Sequence, residues 1–374
     1  MITTLANEWK DTTAPAVSEV LSKRPPLTIR TIDEILAMEF DPTDLILPNG
    51  YLVLGERTVM CGMGGVGKSR LTVQLALCCR TGRKFLGWET RGRELRWLFL
   101  QTENSCRRLQ ADLQRMMSAF TPAEREAINA GIFFHTLEGD EDGFLALDME
   151  NCERVTDAIA KTEANIVVFD PLRDFGIDDL NADVHMTETL REISRITRRG
   201  NPRRVPLVIH HALTGKTGIQ KVMGFDRSSF GRNSKVLFMW TRAQINVAPV
   251  HPDDNSLLII VSGKCSNFME FAPFVIRLNP NSLIYEAAPD FDIEAWREHL
   301  ESPKKTRRKF SPEIVAEIEW PKPELTKKRL AAAIMEQTGC RSSRAYELID
   351  EAVIRRVIRY SKLTEIYKKI TRAR

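Results

Sequence analysis

Between residues 51 and 300 the chain alternates two hydrophobic rhythms. Short apolar runs rich in Val, Ile, Leu and Phe are separated by longer stretches in which apolar residues recur every third or fourth position. The first rhythm predicts buried strands and the second predicts amphipathic helices packed against them. Strands are expected at Arg57–Cys61, Leu95–Leu100, Ile132–His135, Ile166–Phe169, Leu207–His210, Lys235–Trp240 and Leu257–Val261. Helices are expected at Lys68–Arg80, Ser105–Phe120, Glu150–Glu163, Met186–Arg199 and Ser228–Asn233. Strands alternating with helices imply an α/β core with a largely parallel sheet.

The flanks differ. Residues 1–50 contain Pro and Thr, with one short helix expected at Ile32–Met38, and read as an arm or a lid laid on a neighbour. Residues 301–310 form a polar, basic linker, and 311–374 a small helical domain. There, Lys327–Gln337 and Ser342–Arg355 flank the turn Thr338-Gly339-Cys340, with Leu330, Ile334, Leu348 and Val353 on inward faces. This is a helix–turn–helix pattern. It would place Arg341, Ser342, Ser343, Arg344 and Tyr346 at the start of the second helix, where recognition helices contact bases and phosphates. Arg355–Tyr360 would begin a wing, and the domain is loosely similar to winged-helix domains. A small protein-docking module is the competing reading.

Composition adds limits. The 374 residues are 43% hydrophobic and 28% charged, ordinary globular values. No apolar run reaches the length that crosses a bilayer, and the N-terminus lacks a signal-peptide apolar region. Seven cysteines without a CxxC pair support neither a zinc ribbon nor a disulfide framework, so a cytoplasmic protein in a reducing compartment is expected. The whole chain carries +4, yet from Glu301 onward 19 Lys and Arg stand against 10 Asp and Glu. Such a tail suits either a polyanion partner or simple solvation.

The chemistry begins at residue 62. Gly62-Met-Gly64-Gly65-Val66-Gly67-Lys68-Ser69 follows an apolar strand and opens a helix, the context a phosphate loop requires. Glycines let successive N–H groups curl around phosphate oxygens, and the helix start points its positive end at the anion. Lys68 would neutralise the β and γ phosphates, the Ser69 hydroxyl would ligate Mg²⁺, and Arg70 would stand beside the bound ATP. Ile166-Val-Val-Phe-Asp170 is four apolar residues ending in a carboxylate, the form of a Walker B strand serving the same Mg²⁺. Leu98-Phe-Leu-Gln-Thr-Glu103 ends in an acid that would orient the attacking water. The alternative for Glu103 is an acid favoured by the dipole of the following helix. Asp174 and Asp178 are weaker candidates for the same task. Leu207-Val-Ile-His210-His211 ends in paired histidines suited to sensing the γ-phosphate, and no third ligand at a diagnostic spacing makes them a metal site.

This order of parts resembles the RecA-like ATPases, and within them the hexameric replicative helicases of the plasmid RepA type. The resemblance spans roughly residues 50–285 and is carried by Gly62–Ser69, Gln101-Thr-Glu103, Val167-Val-Phe-Asp170 and His210-His211-Ala212. Phe225-Asp-Arg227-Ser-Ser229 is similar to a segment that supplies an arginine finger to the neighbouring subunit, although a glycine is missing between Arg and Ser. Arg232 is the alternative finger. Lys264 is similar to a lysine placed at a subunit interface, with Ser266 where an arginine often stands. The resemblance implies a RecA-like sheet, ATP and Mg²⁺ between subunits, and a homo-oligomeric ring, most simply a hexamer. Single-stranded DNA would thread the ring, gripped by the loop after Asp170 and by Leu213–Phe225, which carries Lys216 and Lys221. Arg341, Ser343 and Arg344 would meet duplex DNA, with other replication proteins as partners. A DNA helicase or translocase of a mobile element is thus expected. The alternative is an ATP-gated DNA-binding or helicase-loader protein without processive unwinding. A small-molecule kinase would need neither the paired histidines nor the basic tail.

Overall fold

The computed structural model describes residues 27–137, 145–212, 234–251, 254–301 and 310–370, with Val222, Arg227, Phe230 and Gly231. The chain divides after Phe291 into two compact units. In the first, helix α1 (Ile32–Leu36) and a hairpin of β1 (Leu45–Leu47) and β2 (Leu52–Val53) precede a nine-stranded sheet. The sheet contains β3 (Thr58–Gly62), β4 (Trp97–Gln101), β5 (Ile132–Phe134), β6 (Ile166–Asp170), β7 (Val205–His211), β8 (Ala243–His251), β9 (Asp254–Cys265), β10 (Phe274–Leu278) and β11 (Tyr285–Ala287). Its order is β11-β10-β9-β8-β3-β7-β6-β4-β5. Strands β8, β3, β7, β6, β4 and β5 run parallel, and β9 to β11 add an antiparallel extension. This is the RecA-like, mostly parallel sheet that the sequence predicts, with helices α2 (Lys68–Thr81), α3 (Cys106–Met117), α4 (Pro122–Asn129), α5 (Met149–Thr162), α6 (Asp183–Arg198) and α7 (Ser234–Trp240) in its first unit.

Every residue of β3, β4 and β6 is buried, which is why these strands read as continuous apolar runs rather than alternating ones. Helix α2 is buried from Leu71 to Arg80 without an exposed face. Its polar side chains are therefore matched to polar groups. Thr72 donates to the Lys68 carbonyl, and Gln74 bonds the backbone of Tyr285. Arg80 donates to the carbonyls of Ala127, Leu95 and Arg93. The hairpin at the start of the unit joins the same core, with Ile46, Leu47, Tyr51 and Leu52 wholly buried. By contrast, Leu27, Ile29, Ile32, Leu36 and Phe40 around α1 are exposed.

Two expectations are corrected. Lys235–Trp240, expected as a strand, is helix α7. Leu237 and Trp240 are buried while Lys235 and Met239 are exposed, a three-residue period hidden by the five-residue apolar run Val236–Trp240. Strand β8 was not expected, because Gln244, Asn246 and Pro249 interrupt its apolar sequence. Pro249 is accommodated at a shift in the β8–β9 register, while Gln244 donates to Asn246 inside the sheet and Asn246 donates to the Arg227 carbonyl. The expected helix at 228–233 falls largely outside the described residues.

The second unit contains α8 (Ile293–Glu301), α9 (Ile314–Glu317), α10 (Lys327–Thr338) and α11 (Ser342–Ile354). A three-stranded sheet, β12 (Glu324–Thr326), β14 (Ile366–Lys369) and β13 (Ile358–Ser361) in that spatial order, completes it. Gly339 ends α10 in the left-handed region at φ 66°, the turn that the sequence predicts. Leu330, Ile334, Leu348 and Ile358 form the core, so two helices and a hairpin share one small interior. Among the described residues no helix is long and apolar enough to cross a membrane.

Arg80→Ala would leave the buried Leu95 carbonyl and the partly buried carbonyls of Ala127 and Arg93 without this donor. A loss of roughly 2–4 kcal/mol in unfolding free energy is expected. Urea titration of the variant against wild type measures it.

Candidate functional site

Strand register assembles the site. Gly62, the last residue of β3, stands opposite His211 of β7 on one side and Val247 of β8 on the other. Gln101 of β4 stands opposite Asp170 of β6. The phosphate loop, the acidic strand ends and the histidines therefore share one edge of the sheet, where the parallel strands end and ligands bind in open α/β sheets.

Within the loop, Gly65 and Gly67 have φ of +73° and +84°, conformations that side-chain-bearing residues rarely adopt. Val66 is buried beneath them, whereas Gly64 and Gly65 face open space. Lys68 is buried and donates from Nζ to the carbonyls of Gly62 at 2.9 Å and Met63 at 2.7 Å. Burial lowers its pKa, opposed by the nearby Cys61, Asp170 and Glu103. The lysine is thus held across the loop mouth by neutral oxygens that an anion would outcompete.

Ser69 and Asp170 line the same cavity, close enough for the hydroxyl to favour the ionised carboxylate. Burial pushes the Asp170 carboxyl up to about 6, partly offset by Ser69 and Lys68. A hydroxyl and a buried carboxylate beside a phosphate cradle are the hard oxygen donors that suit Mg²⁺. Glu103 and His211, distant in sequence, lie together with Nε2 of His211 3.6 Å from Oε1 of Glu103. Hydrogen bonding from His211 is the main cause that keeps the Glu103 carboxyl below its usual range, helped by Arg173 and Lys68. His210 is buried against Gly231, whose missing Cβ would stand 3.1 Å from the imidazole.

Two cavities open from this edge. One, of about 290 Å³, is lined by the loop, Ser69 and Asp170, and on its far side by Asn104, Arg108 and Asp112. The other, of about 420 Å³, lies against Gly64, Glu103, Arg173, Asp178, Asp179 and His211. Arg108 and Asp112 were not anticipated. The available signal was two polar residues one turn apart on the amphipathic helix that follows Glu103. Arg70 pairs with Asp112 at 3.0 Å, so it also reaches this wall.

Other candidates are used differently. The Asp174 carboxylate accepts from Thr102 at 2.7 Å and from Arg173 at 3.1 Å, which ties its loop to the end of β4. Asp178 sits on the larger cavity with His185 Nδ1 3.5 Å away. Arg227 forms an ion pair with Glu270 of its own chain. Lys264 donates to the carbonyls of Phe238 and Thr241 at 2.7 and 2.8 Å and lies over the Phe238 ring. Its ammonium thus caps α7 within the chain. Arg341 and Ser343 are exposed at the start of α11, but Arg344 is engaged by Glu347, Glu351 and the Phe310 carbonyl. Lys216, Lys221 and Arg232 lie outside the described residues.

The raised Asp170 pKa has a stability consequence. An acid whose folded pKa exceeds its unfolded value of 3.8 costs stability in full above about pH 6, and the cost fades as pH falls toward 3.8. Ligand-free Asp170→Asn should therefore melt several degrees higher than wild type at pH 8 and together with it near pH 4. Thermal melts at the two pH values check this.

A sequence profile of the AAA domain family matches residues 22–218, a span that includes the phosphate loop, Glu103, Asp170 and both histidines. Among solved structures, the fold is similar to that of a KaiC-like protein from the hyperthermophilic archaeon Pyrococcus horikoshii OT3. The likeness has a TM-score of 0.44 and 12% identity, over 66% of this chain and 94% of that one. No curated protein matches the sequence. With more than half of its length matched and the phosphate loop, Glu103, Asp170 and the histidines gathered on one sheet edge, the chain belongs to the AAA domain family and carries a RecA-like P-loop ATPase core.

Proposed function

We propose that the protein is an ATP-hydrolysing DNA helicase or translocase that works as a homo-oligomeric ring, most simply a hexamer, alongside other replication proteins. The contact between Glu103 and His211 carries this reading. Glu103, kept ionised, orients the water that attacks the γ-phosphate and accepts its proton. Lys68 leaves its two carbonyls for the β and γ oxygens. His211 reports the charge at the γ position to Glu103 and, through the end of β7, to the segment that begins at residue 213. Ser69 and Asp170 would hold Mg²⁺, which would supply charge neutralisation for the phosphate chain. Arg227 would act in trans, leaving Glu270 for the phosphate of the next subunit. An arginine so delivered is worth roughly 10³–10⁵-fold in rate.

Single-stranded DNA would pass along the segment carrying Lys216 and Lys221, and duplex DNA would meet Arg341 and Ser343 of the second unit. The loop after Asp170 suits DNA poorly, since Asp174, Asp178, Asp179 and Asp183 outnumber Arg173. That acidity favours the second reading, an ATP-gated DNA-binding or loader protein that changes shape without processive unwinding.

Lys68→Ala should lower ATPase activity at least about a hundredfold under either reading. Unwinding separates them: the wild type should displace a strand from a forked duplex with ATP, and a ring that hydrolyses ATP without strand displacement would leave the loader. Arg227→Ala subunits mixed into wild type should depress activity more steeply than their mole fraction, and a linear decline would refute the finger in trans.

A further inference from the structure

The larger cavity at the phosphate edge, of about 420 Å³, is lined by a cation that the proposed function leaves unused. Glu103 and His211 border both this cavity and the 290 Å³ one that carries Lys68, Ser69 and Asp170. Gly65 lines the smaller cavity and Gly64 the larger, so the two meet at the tip of the phosphate loop. Asn104, Arg108 and Asp112 close the opposite end of the smaller one. A nucleotide whose phosphates sit on Lys68 and Ser69 therefore presents its γ-phosphate to the larger cavity. Among the described residues that line this cavity, Arg173 is the only lysine or arginine.

Arg173 is presented by a short 3₁₀ turn, Leu172–Phe175, that follows β6. Leu172, Asp174 and Phe175 are buried, while the Arg173 side chain is 64% exposed. The turn is held from behind. Leu145 and Leu147 donate their N–H groups to the carbonyls of Asp174 at 3.0 Å and Phe175 at 3.1 Å. The Phe175 ring also packs edge-on against Phe169 of β6. The buried Asp174 carboxylate then joins two neighbours: Oδ2 accepts from the Thr102 hydroxyl at 2.7 Å, and Oδ1 accepts from Arg173 Nε at 3.1 Å. Thr102 directly precedes Glu103, so one carboxylate fixes the arginine and the acid's backbone relative to each other. Nε is the nitrogen engaged, which leaves the two terminal nitrogens as donors on the cavity side. The same positive charge helps keep the Glu103 carboxyl below its usual range.

We propose that Arg173 is a catalytic residue acting in cis: its terminal guanidinium nitrogens hydrogen-bond the γ-phosphate oxygens of ATP bound to the same chain. In hydrolysis a water oxygen bonds the γ phosphorus while the bond from that phosphorus to the β–γ bridging oxygen breaks. The electron pair of the broken bond leaves with ADP, and a proton of the water goes to Glu103. Negative charge is then spread over the equatorial oxygens, and a planar guanidinium meets two of them at once. An arginine already held through Nε needs little further ordering to do so. The inference rests on the ATPase reading, is independent of unwinding, and is separate from the arginine proposed to come from the next subunit.

Arg173→Ala in the full-length chain tests it, since this exposed side chain bonds only its own neighbour and its loss should leave Tm within about two degrees of wild type. The steady-state kcat should fall about a hundredfold, with KM changed less than about threefold. A non-hydrolysable ATP analogue should bind as in wild type, whereas ADP with Mg²⁺ and aluminium fluoride, a mimic of the phosphoryl group in transfer, should bind about a hundredfold more weakly. Arg173→Lys, which has no Nε for Asp174 to hold, should recover less than about a tenth of the lost rate. A kcat within twofold of wild type in Arg173→Ala overturns the inference alone, as does a fallen Tm with both ligands weakened equally. Arg173→Ala subunits mixed into wild type should lower activity in proportion to their mole fraction. A steeper decline would assign the arginine to a neighbour's site and overturn its action in cis. A wild type that hydrolyses no ATP overturns the ATPase reading and this inference with it.

Discussion

Helix α2 has no face to solvent, and much of the first unit is arranged to bury it. The helix follows directly from the phosphate loop, so whatever fixes the helix fixes Lys68 and Ser69 at its first turn. A helix buried on all sides must also satisfy its polar side chains internally. Arg80 does so on carbonyls around α4 and before β4, Gln74 on the backbone of β11, and Thr72 on its own helix. Each bond that removes an unsatisfied donor also ties a surrounding element to the helix. The phosphate-binding end is thus held from the rear and the sides, leaving its mouth as the free boundary.

That rigidity explains how an uneven set of charges can coexist at one edge. Lys68 is driven toward neutrality by burial, and Asp170 is driven toward protonation for the same reason. Glu103, nearer solvent and hydrogen-bonded by His211, stays ionised instead. The site therefore separates two carboxylates by environment: a buried one beside Ser69 and a half-exposed one beside His211. Two acids in one site with opposite shifts is how a single edge supplies both a cation ligand and an ionised acid facing water. A phosphate chain and its cation would offset the cost of burying Lys68 and Asp170.

The antiparallel extension has a different character from the parallel core. Strands β8 to β11 carry polar residues in their interior, a proline at a register shift, and an edge sealed by a glutamine side chain. They bring Tyr285 to Gly67 and Asn255 to the Gly65 carbonyl, so two glycines of the loop are touched from this side. The phosphate loop is thus supported from behind by an extension that contains none of the site's signature residues.

The sequence alone determined the phosphate loop, the Walker B strand and the buried parallel strands, because each is contiguous and its physics is local. Eight consecutive residues between a strand and a helix specify an anion cradle wherever they fold, and continuous apolar runs cannot remain in water. The helix–turn–helix of the second unit was legible for the same reason, with Gly339 marking its turn. The capping box Thr121-Pro122-Ala123-Glu124 announces α4 just as locally, although it was not among the expected helices. Tertiary structure decided what depends on strand order and on ambiguous periods. Only the placement of β7 between β3 and β6 brings His211 to Glu103 across more than a hundred residues. Only packing makes Lys235–Trp240 a helix rather than a strand and turns Lys264 into its cap, since a short apolar run fits either period. Tyr285 and Gln74 meet across 211 positions through one backbone unit and one amide. Hydrogen bonds between backbone and side chain leave no hydrophobic pattern to read, so that contact existed nowhere until the chain folded.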